Sequence, residues 1–437
     1  MERSLVPVET RENKGSGEGE AGGGQGDVGA GTPPARQATF GALFSIGEFR
    51  ALWVSNVTSV LGDRLAVVAL AILVYDRTRS PVLAAIAYAA GYVPWVIGGL
   101  LWSHLADRRP RRQVMVACDL IRMLLVAVMV IPAVPVAALV ALLFIATMFA
   151  PPFESARSAI VPDILRGELY VLGIAVVQTT FRVGIVLGAA AGGIMVAFIG
   201  ARPALAVDAV TFGVSAIAVM VGVKVRPAAA AKRRANALAE LRSGFSLVFS
   251  DPQLRTLVLF GWLVGLYGVP EGIAAPYAQV LGGGAVLTGL LIASTQFGAV
   301  FVTPVFSRMV SPERRLRWMG PLAFATCATL TLTALRPGPA WSMVIFAVAG
   351  AFGVYQLAAN TAFVARVPND RRSQAFGLAN AGVIVGQGLG FVLGGAAAGR
   401  FDPADVIAVS AGVGAVAALV LIRAWRRATS TRNQPPG

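Results

Sequence analysis

The sequence predicts an all-α polytopic membrane protein with twelve transmembrane helices in two pseudo-symmetric six-helix halves. Three observations carry that reading. Apolar runs of spanning length fill most of the chain, basic residues gather in alternate loops, and one glycine pattern recurs 202 residues later. Composition frames them: of 437 residues, 56% are hydrophobic and 14% charged, against about a quarter charged in soluble domains. A soluble enzyme, a disordered regulator and a disulfide scaffold are thereby excluded. An outer-membrane barrel would instead show alternating segments of about ten residues.

Along the chain, residues 1–44 come first. Nine of residues 15–31 are glycine, with Glu18, Glu20 and Asp27 among them. Such a segment buries too little to offset its ordering entropy, so a disordered cytoplasmic tail is expected. It also lacks the apolar stretch of a signal peptide. The spans then fall at 51–75, 81–104, 113–131, 135–153, 170–199 and 204–223 in the first half (45–223). In the second (251–425) they fall at 254–277, 285–308, 317–335, 340–363, 374–399 and 404–424. A basic linker, 224–250, joins the halves, and 426–437 forms a second cytoplasmic tail. Each run is about 20 residues long, and lipid forces backbone polar groups to pair within it, which makes it a helix. Pro94, Pro270 and Pro276 should kink their spans.

The net charge of +15 is spread over loops, not over one basic face, so no nucleic-acid partner is implied. Loops leaving even-numbered spans carry nineteen Lys and Arg, for example Arg109, Arg112, Arg166 and Arg314. Loops leaving odd-numbered spans carry five: Arg77, Arg79, Arg202, Arg336 and Arg400. Both termini are therefore expected in the cytoplasm.

The repeat is G-x-x-x-G-x-x-x-G-G. It reads Gly184, Gly188, Gly192 and Gly193 in the fifth span and Gly386, Gly390, Gly394 and Gly395 in the eleventh. Small residues at this spacing let helices approach closely in lipid, and the face is expected between the halves. Duplicated halves enclosing a site are the build of secondary transporters.

Charges inside spans are costly, about 2.5–3.5 kcal/mol on insertion scales, and mark partners or cavities. Asp63 and Arg64 are adjacent in the first span, about 100° apart around it, so each needs its own environment. Glu271 lies between Pro270 and Pro276 in the seventh span. A carboxyl in a low-dielectric cavity can load and release a proton, which makes Asp63 and Glu271 candidates for proton coupling. The structural alternative is an ion pair with Arg64 or Arg182. Arg182, in the fifth span, is expected to neutralise one of the two carboxylates or to hold an anionic substrate group. Asp119 and Arg122 sit three apart, a spacing suited to a structural ion pair; Glu154 and Arg157 repeat it. Asp208 is placed near the outer interface. Trp53, Tyr88, Tyr92, Trp95, Trp262, Tyr267, Tyr277 and Tyr355 are candidates for a cavity lining or for interfacial anchoring. Cys118 and Cys327 fall in apolar runs, and His104 stands alone. No metal site, cofactor or ATP-binding loop is indicated, so transport would draw on an ion or substrate gradient.

The loop after the second span, Asp107-Arg108-Arg109-Pro110-Arg111-Arg112, resembles the signature loop of the major facilitator superfamily, with Ser103 and Pro110 at its glycine positions. The glycine run of the fifth span resembles that superfamily's proton-antiporter signature, with Ala189 in place of proline. Gly62-Asp63 and Asp119-Leu-Ile-Arg122 are similar in texture to its bacterial drug and siderophore exporters. The resemblance implies that Asp107, Arg108 and Arg111 latch the cytoplasmic ends of the halves. It also implies a monomeric plasma-membrane exporter of small amphipathic compounds, coupled to protons. An importer or facilitator of the same fold, and a non-transporting sensor or assembly protein, are the alternatives.

Overall fold

The computed structural model describes residues 39–102, 109–226 and 237–430. Twelve apolar helices appear in chain order: α1 (Gly47–Thr78), α2 (Pro81–Trp102), α3 (Arg111–Met129), α4 (Val136–Ile164), α5 (Glu168–Ile199) and α6 (Ala201–Gly222). After the linker come α7 (Pro252–Gly272 and Ala274–Val280), α8 (Ala285–Met309), α9 (Pro312–Leu335), α10 (Pro339–Arg366), α11 (Arg372–Ala398) and α12 (Pro403–Ser430). Among the described residues ten are long and apolar enough to cross a membrane, and α7 makes an eleventh if its two pieces, bent by 48°, form one span. The expected count of twelve is short by α3 on this criterion. Its 19 residues are of spanning length, but Arg111, Arg112, Asp119 and Arg122 interrupt its apolar character.

The prolines act as expected. The α2 helix is interrupted between Ala89 and Val93, just before Pro94, and α7 breaks around Pro270 and Pro276. Three expectations need correction. The end of the tail assigned to 1–44 is ordered, since Phe40–Ser45 is a short helix whose Leu43 is buried. The linker contains a helix, Ala237–Ser250, and α12 runs to Ser430 inside the second tail. Residues 1–38, 227–236 and 431–437 lie outside the described residues.

Within the first half α1 packs on α5 and α6, and α6 on α3. In the second, α8 packs on α10 and α9 on α12. Between halves α5 meets α8 and α11 meets α2. The linker is anchored at both ends. Arg226 pairs with Glu48 of α1 at 2.7 Å, and Ser243 donates to Gln374 of α11 at 2.8 Å.

Both glycine runs serve the same packing twice, and not where it was expected. A Cβ at Gly184 would lie 2.8 Å from Val60, one at Gly188 2.9 Å from the Leu61 carbonyl, and one at Gly192 3.1 Å from Leu65 Cα, all on α1. In the second half Gly386, Gly390 and Gly394 lie against Trp262, Gly265 and Val269 of α7. Only the last glycine of each run crosses over: Gly193 to Gly289 of α8, and Gly395 to Pro81, Val82 and Ala85 of α2. The run turns because adjacent residues point about 100° apart, so the doubled glycine serves two neighbours.

A like contact inside the second half gives a test of the packing. A Cβ at Gly298 of α8 would lie 2.8 Å from the Ala351 amide of α10. Gly298→Ala is expected to lower the thermal stability of the purified protein by about 1–3 kcal/mol through overpacking. An unchanged melting curve would refute the contact.

Candidate transport site

Two cavities lie in the bundle. One of about 700 Å³ is lined by Asp63, Arg64, Tyr92, Trp95, Arg122 and Glu154, among others. The other, of about 580 Å³, is lined by Arg182, Tyr267, Glu271, Gln296, Gln356 and Asn360, among others. Asn380 of α11 lines both.

In the first cavity α1 turns a polar stripe inward, because Asn56, Ser59 and Asp63 repeat at helical spacing on one face. Arg122 reaches across from α3, donating to Asp63 and, at 3.3 Å, to Ser59. Its guanidinium sits 4.1 Å from the Phe212 ring centroid. Arg122 is buried, whereas the Asp63 side chain is 39% exposed, toward the cavity. Arg157 bonds Asn56 and pairs with Glu154 at 2.6 Å, as its spacing suggested.

The Asp119–Arg122 pair does not form. Arg122 is committed to Asp63, and Asp119 points instead to α6, where Ser215 donates to it at 2.5 Å and also meets Ser55 at 2.7 Å. An i,i+3 rule sees one helix only; here two neighbouring helices supplied the better partners. Asp208 is not interfacial either. It is buried against Gly62 of α1, whose missing side chain makes the room.

Arg64 and Asp63 do point to different partners. Arg64 donates to the Tyr92 hydroxyl at 2.6 Å and lies 4.9 Å from that ring's centroid. Tyr92 and Tyr88 hydroxyls are 3.1 Å apart. Tyr88 then donates to Glu271 Oε2 at 3.2 Å, and Gln296 donates to Glu271 Oε1 at 2.8 Å. A continuous polar chain thus runs from α1 through α2 of the first half to α7 and α8 of the second. Arg64 stands at one end, beside the first cavity, and Glu271 with Gln296 at the other, beside the second; Asp63 opens into the first cavity but bonds Arg122 and is not part of the chain.

Arg182 pairs with neither carboxylate among the described residues; it is exposed to the second cavity. Its neutralising role is therefore corrected, because Arg122 serves Asp63 while hydroxyl and amide donors serve Glu271. Arg111 bonds the Ala159 carbonyl and Asp163 of α4, both at 2.7 Å, so its contacts lie inside its own half. Asp107, Arg108 and His104 lie outside the described residues. Of the eight aromatic candidates, Tyr92, Trp95 and Tyr267 line the cavities, whereas Tyr88, Tyr277 and Tyr355 are buried. Gln296, Gln356 and Asn360 were overlooked. Their signal was available as lone amides within apolar spans, where an unpaired polar group is costly.

The halves approach closely at the end bearing the α1–α2 and α7–α8 connections. There Arg79 lies 3.4 Å from Gln279, and Gly193 meets Gly289.

A sequence model of the Major Facilitator Superfamily matches residues 52–365. The multidrug efflux pump Tap of Mycolicibacterium fortuitum is 29% identical over 233 residues, covering 50% of this chain and 57% of Tap. The chain thus spans little more than half the length of that relative. The fold is similar to that of the peptide transporter POT in complex with sulfate (TM-score 0.70, 15% identity, 90% of this chain and 96% of POT). It is also similar to that of the nucleoside transporter NupG (TM-score 0.65, 13% identity, 86% and 99%).

Proposed function

This chain belongs to the Major Facilitator Superfamily, a family of transporters and not of enzymes, and we propose that it exports small amphipathic compounds in exchange for protons. The observation that carries this reading is the pair of membrane-embedded carboxyls held at two cavities, Glu271 at one end of a hydrogen-bonded chain that spans the halves and Asp63 beside Arg64 at the other. Asp63 is tied to Arg122, Glu271 is held by Tyr88 and Gln296, and Arg64 and Tyr92 lie between them. A proton arriving at Glu271 changes the Tyr88 hydrogen bond that spans both halves and so couples protonation to rocking, whereas one arriving at Asp63 changes its bond to Arg122 within the first half.

The state described suits loading for export and release on import alike. With the nineteen basic residues inside, the closed end faces outward and the cavities open to the cytoplasm of a plasma-membrane protein. Cavities of about 580 and 700 Å³ are of small-molecule size, and each combines aromatic rings with charged and amide groups. The efflux activity of the relative Tap supports export. Arg111, drawn to α4 in this state, and the neighbouring Asp107 and Arg108 would form the cytoplasmic latch once the halves close on that side.

The test uses inside-out vesicles energised to an acidic interior, a pH-quenched dye, and a panel of antibiotics and lipophilic cations. Dequenching by some compound is expected in the wild type. No response from a folded, inserted protein would refute antiport. In Glu271→Gln, which keeps hydrogen-bonding groups but carries no exchangeable carboxyl proton, dequenching should fall tenfold or more. Tyr88→Phe removes two hydrogen bonds, to Glu271 and Tyr92, each worth about 0.5–1.5 kcal/mol, and should slow it several-fold. Wild-type rates in both variants would remove Glu271 from the coupling path.

A further inference from the structure

Behind the Asp63–Arg122 pair lies a group the transport reading leaves unused. Asp208 of α6 is 1% exposed, and its Oδ2 has no hydrogen-bond partner. Its Oδ1 receives only the Thr211 hydroxyl at 3.2 Å, and that hydroxyl also donates to the Asp208 carbonyl at 2.8 Å. The carboxyl is aimed at α1, where a Cβ on Gly62 would collide with it.

The charged groups around it come from three helices. Asp63 on α1 and Arg122 on α3 both interact with it electrostatically. Asp119, also on α3, interacts electrostatically with the same Arg122 while it bonds Ser215 of α6. Glu154 of α4 approaches Arg122 and Asp63 but is balanced by Arg157. The charged residues of α5, Glu168 and Arg182, lie elsewhere: Glu168 is exposed in the first turn and Arg182 lines the other cavity. Three carboxyls therefore surround one guanidinium, and an uncompensated carboxylate at membrane depth is costly. Asp119 likewise has one oxygen, Oδ1, without a partner, but its Oδ2 receives the Ser215 hydroxyl at 2.5 Å. Asp208, with half of one hydroxyl, is the least compensated of the three.

We propose that Asp208 is a second proton-binding site, exchanging its proton with Asp63 through a swing of Arg122. The exchange balances without external groups. Protonated Asp208 with the Asp63–Arg122 pair becomes protonated Asp63 with an Asp208–Arg122 pair: one O–H bond breaks, another forms, and Arg122 moves from one carboxylate to the other. The buried charge is unchanged, and the proton ends on the carboxyl that faces the cavity. The inference rests on Asp63 being the cavity-facing proton carrier.

Infrared spectroscopy of the full-length protein in lipid nanodiscs at neutral pH tests it without any substrate, reading the carbonyl stretch of protonated carboxyls. Read in the Glu271→Gln background, so that Glu271 contributes nothing, the protein with Asp63, Asp119 and Asp208 intact should show such a band. It should be lost in Asp208→Asn, shifted in Asp208→Glu and retained in Asp119→Asn. It should also be lost in Asp63→Asn, because Arg122, deprived of its cavity-side carboxylate, moves to Asp208 and ionises it. Asp63→Glu should restore it. A band that survives Asp208→Asn, or one that Asp63→Asn leaves at full strength, overturns the proposal. If Asp208→Asn does not fold, the shift in Asp208→Glu and the loss in Asp63→Asn decide alone. Failure of antiport itself would show separately, as absent dequenching in wild-type vesicles beside an intact band pattern.

Discussion

Asp63→Asn is expected to abolish substrate-driven proton release in inside-out vesicles while the protein still inserts and folds. The side chain keeps its size, but it neither carries a charge nor exchanges a proton at transport pH. Arg122 is buried, lies against Phe212 and loses the Asp63 carboxylate, which leaves it to Asp208. Breaking a fully buried pair costs about 3–5 kcal/mol; because Asp63 is partly exposed to the cavity, a loss of roughly 1–3 kcal/mol in thermal stability is the expected scale. Asp63→Glu should recover part of the coupling. Arg122→Met should be the more damaging to folding, since it strips Asp63, Asp119 and Asp208 of their common cation. Dequenching in Asp63→Asn at the wild-type rate would move the coupling to Glu271 or elsewhere. A collapse of expression in Asp63→Asn but not in Arg122→Met would invert the assignment of roles.

How far each of these features could be read in advance follows from what fixes it. Apolar runs reveal spans because lipid leaves a helix no other way to satisfy its backbone, so most predicted boundaries lie within a few residues of the helices. The exception is α4, which continues to Ile164 through Glu154, Arg157 and Asp163, a stretch too polar to read as a span. Side-chain partners are set instead by which neighbour covers a face, and sequence spacing within one helix carries no information on that. Asp119 and Arg122 share a face by spacing yet serve α6 and α1. The depth of Asp208 along α6 was legible, but not that Gly62 would admit it to the interior. The Tyr88–Glu271 contact joins residues 183 positions apart and exists only once α2 of one half meets α7 of the other. Both residues could be shortlisted, as an aromatic and as a membrane carboxyl, but their pairing is a product of packing.

The packing that closes one end of the bundle should be separable from the packing that holds each half together. Gly193 and Gly289 meet backbone to backbone: a Cβ on Gly193 would lie 2.8 Å from Gly289 Cα, and one on Gly289 would lie 2.8 Å from Gly193 Cα. Neither neighbour is a side chain that can turn away, so Gly193→Val requires α5 and α8 to part. That contact exists only while this end is closed. Overpacking of about 1–3 kcal/mol is then charged to the closed state alone, and each ~1.4 kcal/mol shifts the open-to-closed ratio tenfold. Transport should fall by an order of magnitude, and a cysteine placed at Gln279 should react faster with a membrane-impermeant thiol reagent. Gly188→Ala is the contrasting variant. Its Cβ would meet the Leu61 carbonyl and the Arg64 Cβ inside one half, a contact both states keep as the halves rock as bodies. It should lower the melting temperature and leave the Gln279→Cys reactivity unchanged. Equal effects of the two variants on that reactivity would mean that the halves do not move as units, and the doubled glycine would then be packing and nothing more.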